Sequence, residues 1–259
     1  MVKIATPISE LFDNEKDALK IENCTDCYEC RDKTIECEYD RQALFHCDLQ
    51  PVHEFDNEAF LYLKRIAKKK KDLNFITFHM ASSCHEPVLY RRRFRPGGYK
   101  YSRKELIDNA SKNFKQIRKI FGRAIDIGIE NNNYYPTGAY QHIADPDFIS
   151  TIVYDNDLKF LFDMSHARIS AHNLASNYQE YIDNLPLNWT LQLHISDYGL
   201  SRNIAIDSHD LPSNRTFQEV RELLSAYPLI EYVTIEYYRN ISKLIGVLKK
   251  MRKLIDELP

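Results

Sequence analysis

Eight short apolar runs punctuate the chain, at 3–8 (KIATPI), 26–30 (DCYEC), 42–47 (QALFHC), 73–79 (LNFITFH), 124–130 (AIDIGIE), 158–163 (LKFLFD), 189–195 (WTLQLHI) and 230–236 (IEYVTIE). Most are rich in Ile, Leu, Phe, Val and Thr and are bounded by polar or turn residues, as strands buried on both faces of a parallel sheet should be. Between them the apolar period lengthens to that of a helix. Residues 56–70 space apolar side chains at helical intervals and end in a lysine run that suits a helix C-terminus. Ser102-x-x-Glu105 reads as a capping box opening a helix to about Ile120, and Asp145-Pro146 starts another with Pro in the first turn. Residues 239–257 form a last amphipathic helix. Residues 31–41 are too short for a full helix.

Strands alternating with helices through right-handed crossovers predict a parallel sheet, and eight such units close a (β/α)8 barrel. A chain of 259 residues is the size of one such barrel, so a single TIM-barrel domain over 1–259 is expected. An open, doubly wound sheet is the structural alternative.

In such a barrel the active residues sit at the C-terminal ends of strands. Read in order, those ends carry His46, His79, Glu130, Asp163, His194 and Glu236. Asp163-x-x-His166 adds a donor one helical turn on, and Asp207-x-His209 adds two that point the same way in extended chain. These nine side chains include five of the nine histidines; His53, His85, His142 and His172 fall outside the pattern. Nine donors exceed the needs of one tetrahedral or octahedral ion, so two or three divalent metal ions are expected, with Glu130 or Glu236 bridging. A donor set of imidazole and carboxylate permits iron, zinc or manganese.

Composition narrows the surroundings of this site. The net charge of −2 gives no bulk attraction to nucleic acid or anionic membrane. Locally, however, half the residues of 91–104 (RRRFRPGGYKYSRK) are Arg or Lys and none is acidic. Following the His79 strand, this loop predicts an anion-receiving rim with Arg91, Arg93 and Arg95 as substrate-binding residues. Nothing approaches the ~20 apolar residues of a membrane span, and the acidic, polar start lacks a signal-peptide core, so a cytoplasmic protein is expected. Cys24, Cys27, Cys30 and Cys37 have spacings that can hold zinc or an iron–sulfur cluster, but CTDCYEC also reads as a strand that sends Cys27 and Cys30 to opposite faces. Ordinary thiols are the favoured reading.

The order His, His, Glu, Asp-x-x-His, His, Asp-x-His, Glu resembles the trinuclear signature of endonuclease IV and the wider xylose-isomerase-like barrel superfamily. Within it, GIENNNYY, FLFDMSHARISAHN, YIDNLPLNWTLQLHIS and IDSHDLP are more similar to the multinuclear non-heme iron-dependent oxidative enzymes, the methanobactin-biosynthesis type included. The resemblance covers roughly residues 42–238 and is strongest over 124–210. It implies a two- or three-iron site that oxidatively remodels a residue, often cysteine, of a ribosomally made peptide, with a partner protein to deliver that peptide. Carried over, His46, His79 and Glu130 would hold one metal. Glu130, Asp163, His194 and Glu236 would surround a second, and His166, Asp207 and His209 would hold a third. At 166 the chain has His, as endonuclease IV does, where the oxidative branch commonly has Asn.

The expectation is therefore an iron-dependent oxidative enzyme acting on a peptide or small thiol. A phosphodiesterase of the endonuclease IV kind is the alternative, and only there would nucleic acid be a partner. A sugar (phosphate) isomerase or epimerase ranks next, since it needs fewer donors. A purely structural metal staple ranks last, because a barrel of this size has core enough to be stable without one.

Overall fold

The structure is a computed structural model and describes residues 1–258. In chain order its strands are β1 (Lys3–Pro7), β2 (Cys27–Arg31), β3 (Leu44–Cys47), β4 (Phe75–Phe78), β5 (Val88–Tyr90), β6 (Arg93–Arg95), β7 (Asp126–Glu130), β8 (Lys159–Asp163), β9 (Thr190–Ile195), β10 (Asp197–Ser201), β11 (Ile204–Asp210) and β12 (Tyr232–Ile235). The α-helices are α1 (Glu15–Glu22), α2 (Asn57–Lys69), α3 (Arg103–Phe121), α4 (Pro146–Asp155), α5 (Met164–Asn173), α6 (Tyr178–Asp183), α7 (Asn214–Ala226) and α8 (Ile241–Asp256). Eight strands close a barrel in the order β1-β12-β9-β8-β7-β4-β3-β2, every neighbouring pair parallel. All eight expected strands are present, and they close into a barrel in place of the doubly wound open sheet.

Local chemistry sets the helix ends. The Ser102 side chain accepts from the Glu105 amide while Glu105 reaches back to the Ser102 amide, and Gly122, at φ 72°, ends α3 in a conformation that favours glycine. Asp145 caps α4 ahead of Pro146. Only a 3₁₀ turn, Asp32–Thr34, joins β2 to β3, as the brevity of 31–41 required.

The barrel lumen is layered by the two-residue period of its strands. Ala5, Cys27, Leu44, Phe75 and Tyr232 pack into an apolar plug at one end. Two residues further along come Glu29, His46, Thr77, Glu130 and Thr234, and two beyond those come Arg31, His79 and Glu236. The intervening side chains, such as Phe45, Phe78, Phe160 and Phe162, point outward into the large core between sheet and helices. Because both faces are buried, the strands read as apolar runs, and the lumen's chemistry shows only in alternate positions.

The same alternation decides the cysteines. Cys27 lies in the plug, whereas the Cys30 thiol faces outward and donates to Gln42 Oε1 at 3.0 Å. Burial pushes both thiols up to about 12. Cys24 and Cys37 pack at the edge of the outer core. The four therefore do not converge on one point.

Two antiparallel hairpins, β5–β6 and β10–β11, were not anticipated. The first occupies much of what reads as a basic loop. Their turns carry Arg91-Arg92 and Arg202-Asn203, all at positive φ, where Asn-Gly or Asp-Gly would have signalled a hairpin.

One position tests the plug. An added Cβ at Gly128 would lie 2.7 Å from the Lys159 carbonyl oxygen and 2.7 Å from the Phe75 ring. Gly128→Ala should destabilise the protein by about 1–3 kcal/mol through overpacking against backbone and a locked ring. An unchanged denaturant midpoint would contradict this layering.

Candidate metal centre

The structure brings all nine expected donors together at the C-terminal mouth of the barrel. His46 Nε2 and His79 Nδ1 lie 3.4 and 3.1 Å from Glu130 Oε2. The other oxygen, Glu130 Oε1, faces His194 Nδ1 at 3.2 Å. That nitrogen is also 3.9 Å from Asp163 Oδ2 and 3.5 Å from Glu236 Oε1. His209 Nε2 lies 3.5 Å from Glu236 Oε2 and 3.4 Å from Asp207 Oδ2, and His166 Nε2 lies 3.9 and 3.8 Å from the Asp163 and Asp207 carboxylates. Glu130 and Glu236 thus each stand between two groups of donors.

Partners outside the cluster fix which atom each side chain turns inward. His46 Nδ1 meets the Thr77 hydroxyl at 2.8 Å, which leaves Nε2 facing Glu130. His194 Nε2 meets Glu29 at 2.8 Å, which leaves Nδ1 inward. His166 Nδ1 donates to the Asn131 carbonyl at 2.9 Å, which leaves Nε2 inward. Such partners set tautomer and ring orientation in metal sites. Asp163 divides its two oxygens: Oδ1 caps α5 through the His166 amide at 2.6 Å, and Oδ2 is left to the centre. Asn131 holds the Asp163 backbone by two bonds of 2.8 Å. His209 sits at φ 44°, a strained conformation for a side chain of this size, with its carbonyl held by Arg239 at 2.8 Å.

The arrangement passes a direct fit test for metal ions. Asp163 Oδ2, His194 Nδ1 and Asp207 Oδ1 are buried without a hydrogen-bond partner, and the first two face the centre of the cluster. Buried polar atoms seldom stay unpaired. Donors about 2.1 Å from one ion lie roughly 3.0–3.5 Å from each other, close to the spacings found here. Three donor groups lie close enough to share an ion: His46, His79 and Glu130; Glu29, His194 and Glu236; and Glu130, Asp163 and His166.

Charge points the same way. Glu29, Glu130, Asp163 and Glu236 are buried and Asp207 is partly so, against the single fixed cation Arg31, which pairs with Glu29 at 2.9 Å and with Glu236. Burial pushes the Glu29 and Glu130 carboxyls up, but the imidazoles and guanidinium around them outweigh it. His194 and Arg31 hold Glu29 at about 2, and His46 and His166 hold Glu130 well below the usual range. Asp163 goes the other way, to about 7, through burial and the charges of Glu236 and Glu130. Burial lowers His166 and His194, yet the surrounding carboxylates raise both well above the usual imidazole range. The metal-free cluster therefore gathers protons that cations can replace.

Glu29, Arg31, Asp48, Asn131 and Tyr238 belong to the site and carry no tip signal. Asp48 Oδ1 is 3.5 Å from His79 Nε2, and the Tyr238 hydroxyl donates to Glu236 at 3.1 Å. Glu29 and Arg31 were legible only as the inward positions of Cys27-x-Glu29-x-Arg31. His53 and His172 lie outside the cluster, against the Ser82 and Asn203 carbonyls. Arg91, Arg93 and Arg95 line a cleft that also contains Asp207 and His209.

The family described as RiPP precursor modification enzyme MbnB/TglH/ChrH matches residues 52–256. The chain belongs to this family. A UPF0276 protein of Caulobacter vibrioides (strain NA1000 / CB15N) is 29% identical over 84 residues, covering 32% of this chain and 30% of the relative. A UPF0276 protein of Caulobacter sp. (strain K31) is 23% identical over 141 residues, covering 53% and 49%. The matched stretches thus span about a third to a half of these relatives' length. Among solved structures, 3-keto-D-glucoside 4-epimerase from E. coli superposes with a TM-score of 0.65 at 17% identity, over 98% of this chain and 100% of that one. A xylose isomerase-like TIM barrel protein from Mycobacterium smegmatis, in complex with magnesium, gives 0.58 at 12%, over 98% and 97%. The fold is a xylose-isomerase-like TIM barrel, as expected. No helix among the described residues is long and apolar enough to cross a membrane.

Two outcomes follow from the geometry. Glu29→Gln should weaken metal affinity about 10–100-fold, because His194 loses the carboxylate that orients it; equal affinity in a chelator competition would remove Glu29 from this role. Metal binding near neutral pH should release protons from Asp163, His166 and His194, so affinity should rise with pH through about 7. Calorimetry in buffers of different ionisation enthalpy measures this, and binding without proton release would contradict it.

Proposed function

We propose that this family member is an iron-dependent oxidative enzyme that holds two or three ferrous ions at the barrel mouth and remodels a cysteine-type thiol in a peptide, with O₂ as oxidant. The observation that carries this reading is the thiolate-free cluster of imidazoles and carboxylates, in which seven of the nine donors fall into groups close enough to share an ion and Asp207 and His209 adjoin them through His166 and Glu236, within a chain whose residues 52–256 match a peptide-modifying family. The proposed division is His46, His79 and Glu130 for one ion, Glu130, Asp163, His194 and Glu236 for a second, and His166, Asp207 and His209 for a third. Imidazole and carboxylate donors suit iron, zinc and manganese alike, and the redox chemistry is what selects iron. Iron in these positions supplies one-electron chemistry and a Lewis-acid anchor for a thiolate.

The protein's own groups do the rest. Glu130 turns one oxygen toward His46 and His79 and the other toward His194, so it would be available to ions held on either side. Thr77, Glu29 and the Asn131 carbonyl hold three imidazoles in the ligating tautomer. Arg31 and Tyr238 engage Glu236 and limit its freedom to rotate. Exposure supports one side of approach. The His46 and His194 side chains are closed off, whereas those of His79, Asp207 and His209 are 24%, 22% and 31% exposed. Substrate therefore enters over His79, Asp207 and His209. The epimerase neighbours share the fold, and their substrates are not carried over.

The test is protein purified anaerobically from iron-supplemented cells. It should contain at least two irons per chain and consume O₂ with a cysteine-containing peptide. Asp163→Ala and His209→Ala should abolish turnover while the melting temperature stays within about 4 °C, since both side chains lie at the mouth, above the apolar plug. One ion with ketose epimerisation, or a zinc-loaded protein that cleaves a phosphodiester, would overturn the oxidative reading.

A further inference from the structure

The two hairpins enclose a cleft of about 870 Å³ that ends on the candidate metal centre. One wall is Arg91, Arg92, Arg93 and Arg95; the other is Arg202, Ile204 and Ile206 of β10–β11; Asp207 and His209 lie at its inner end. Elsewhere arginines such as Arg103, Arg168 and Arg239 meet a carboxylate. Among the described residues, none of the five cleft arginines does.

Three of them are nonetheless held in place. The Arg95 guanidinium lies 4.0 Å from the Tyr90 ring centroid, with Arg91 5.2 Å from the same ring, and Arg93 lies 5.1 Å from that of Tyr135. Stacking of this kind fixes the plane of a guanidinium and leaves its N–H fork open to an anion. Arg93 Nε is buried without a partner. The Tyr135 hydroxyl in turn accepts from the Asp207 amide at 3.2 Å, so one tyrosine joins the arginine shelf to the candidate metal ligands. Backbone cost adds to the case. Arg91, Arg92 and Arg202 all take positive φ at hairpin tips where glycine or asparagine would be unstrained. Charge is placed at both tips against that preference.

We propose that this cleft binds an acidic peptide segment, whose carboxylates lie on the unpaired arginines and whose neighbouring residue is thereby directed onto Asp207 and His209. The identification rests on the peptide reading given under Proposed function and adds the acidic class of the bound segment. Peptide is favoured over a nucleic acid strand by what lies among the arginines. Ile204 and Ile206 line the wall, and Val88, Leu89 and Leu200 stand exposed on the same hairpins. Both hairpins are two-stranded, with open edges that can pair with an extended backbone. Arginine forks suit carboxylates in bidentate geometry.

The test is fluorescence anisotropy on the metal-loaded protein, which reads binding without turnover. The probes are a fluorescein-labelled cysteine peptide flanked by Asp and Glu, the same peptide with Asn and Gln instead, and an oligothymidylate of equal charge. The acidic peptide should bind about 10-fold or more tightly than its amide counterpart, and the preference should shrink as salt rises, since exposed charges are screened. Arg93→Gln with Arg95→Gln should erase the preference, with metal content and melting unchanged; if that variant folds poorly, Arg202→Gln alone at the exposed tip should halve it or more. Equal affinity for the acidic and amide peptides, or variants that leave the preference intact, would overturn the proposal, as would tighter binding of the oligothymidylate. Because metal content and O₂ consumption are measured separately, failure here leaves the oxidative reading standing.

Discussion

The carboxylate of Glu130 organises the mouth of this barrel. It is buried, it ends β7, and each of its oxygens faces a different set of imidazoles: His46 and His79 on one side, His194 on the other. A buried anion is costly unless it is paired, and here the nearby pairing groups are themselves bases that can ligate. Arg31 alone offsets too little of the combined charge of Glu29, Asp163, Glu236 and Glu130. The cluster is thus satisfied either by bound protons or by bound cations, and the raised pKa directions of His166 and His194 describe the first of those states. On the proposed reading, iron supplies the second.

That concentration of charge is tolerable because of what lies beneath and around it. The plug of Ala5, Cys27, Leu44, Phe75 and Tyr232 closes the far end of the lumen, and the outer core of Phe45, Phe78, Phe160 and Phe162 fastens the helices to the sheet. The strands can then present polar groups at their tips without being asked to hold the fold together there. Side chains that orient the donors come from the same strands: Thr77 faces the same lumen as His46, and Glu29 sits two residues before Arg31. Positioning and ligation are consequences of one alternating register.

Much of this was legible in the sequence because the strands are buried on both faces and so stand out as apolar runs. Their ends fell within two residues of the observed ones, which was close enough to bring out His46, Glu130, Asp163 and His194; His79 and Glu236 lie one residue past β4 and β12. Glu29 and Arg31 were missed for a physical reason. They occupy inward positions of a short strand whose letters, CYECR, are dominated by cysteines, and nothing local distinguishes a lumen carboxylate from a surface one. The hairpins were missed because their turns use arginine in left-handed conformations, a choice that local propensity argues against. Asn131 acts on Asp163 from the next residue after Glu130, a tertiary contact with no sequence signature.

The central proposal is that Glu130 would be shared between two metal ions. Anomalous diffraction from crystals of the iron-loaded protein measures this directly. Two peaks, one between His46, His79 and Glu130 and another between Glu130, Asp163, His194 and Glu236, are the predicted result. A single peak, or none within ligating distance of Glu130, would contradict it.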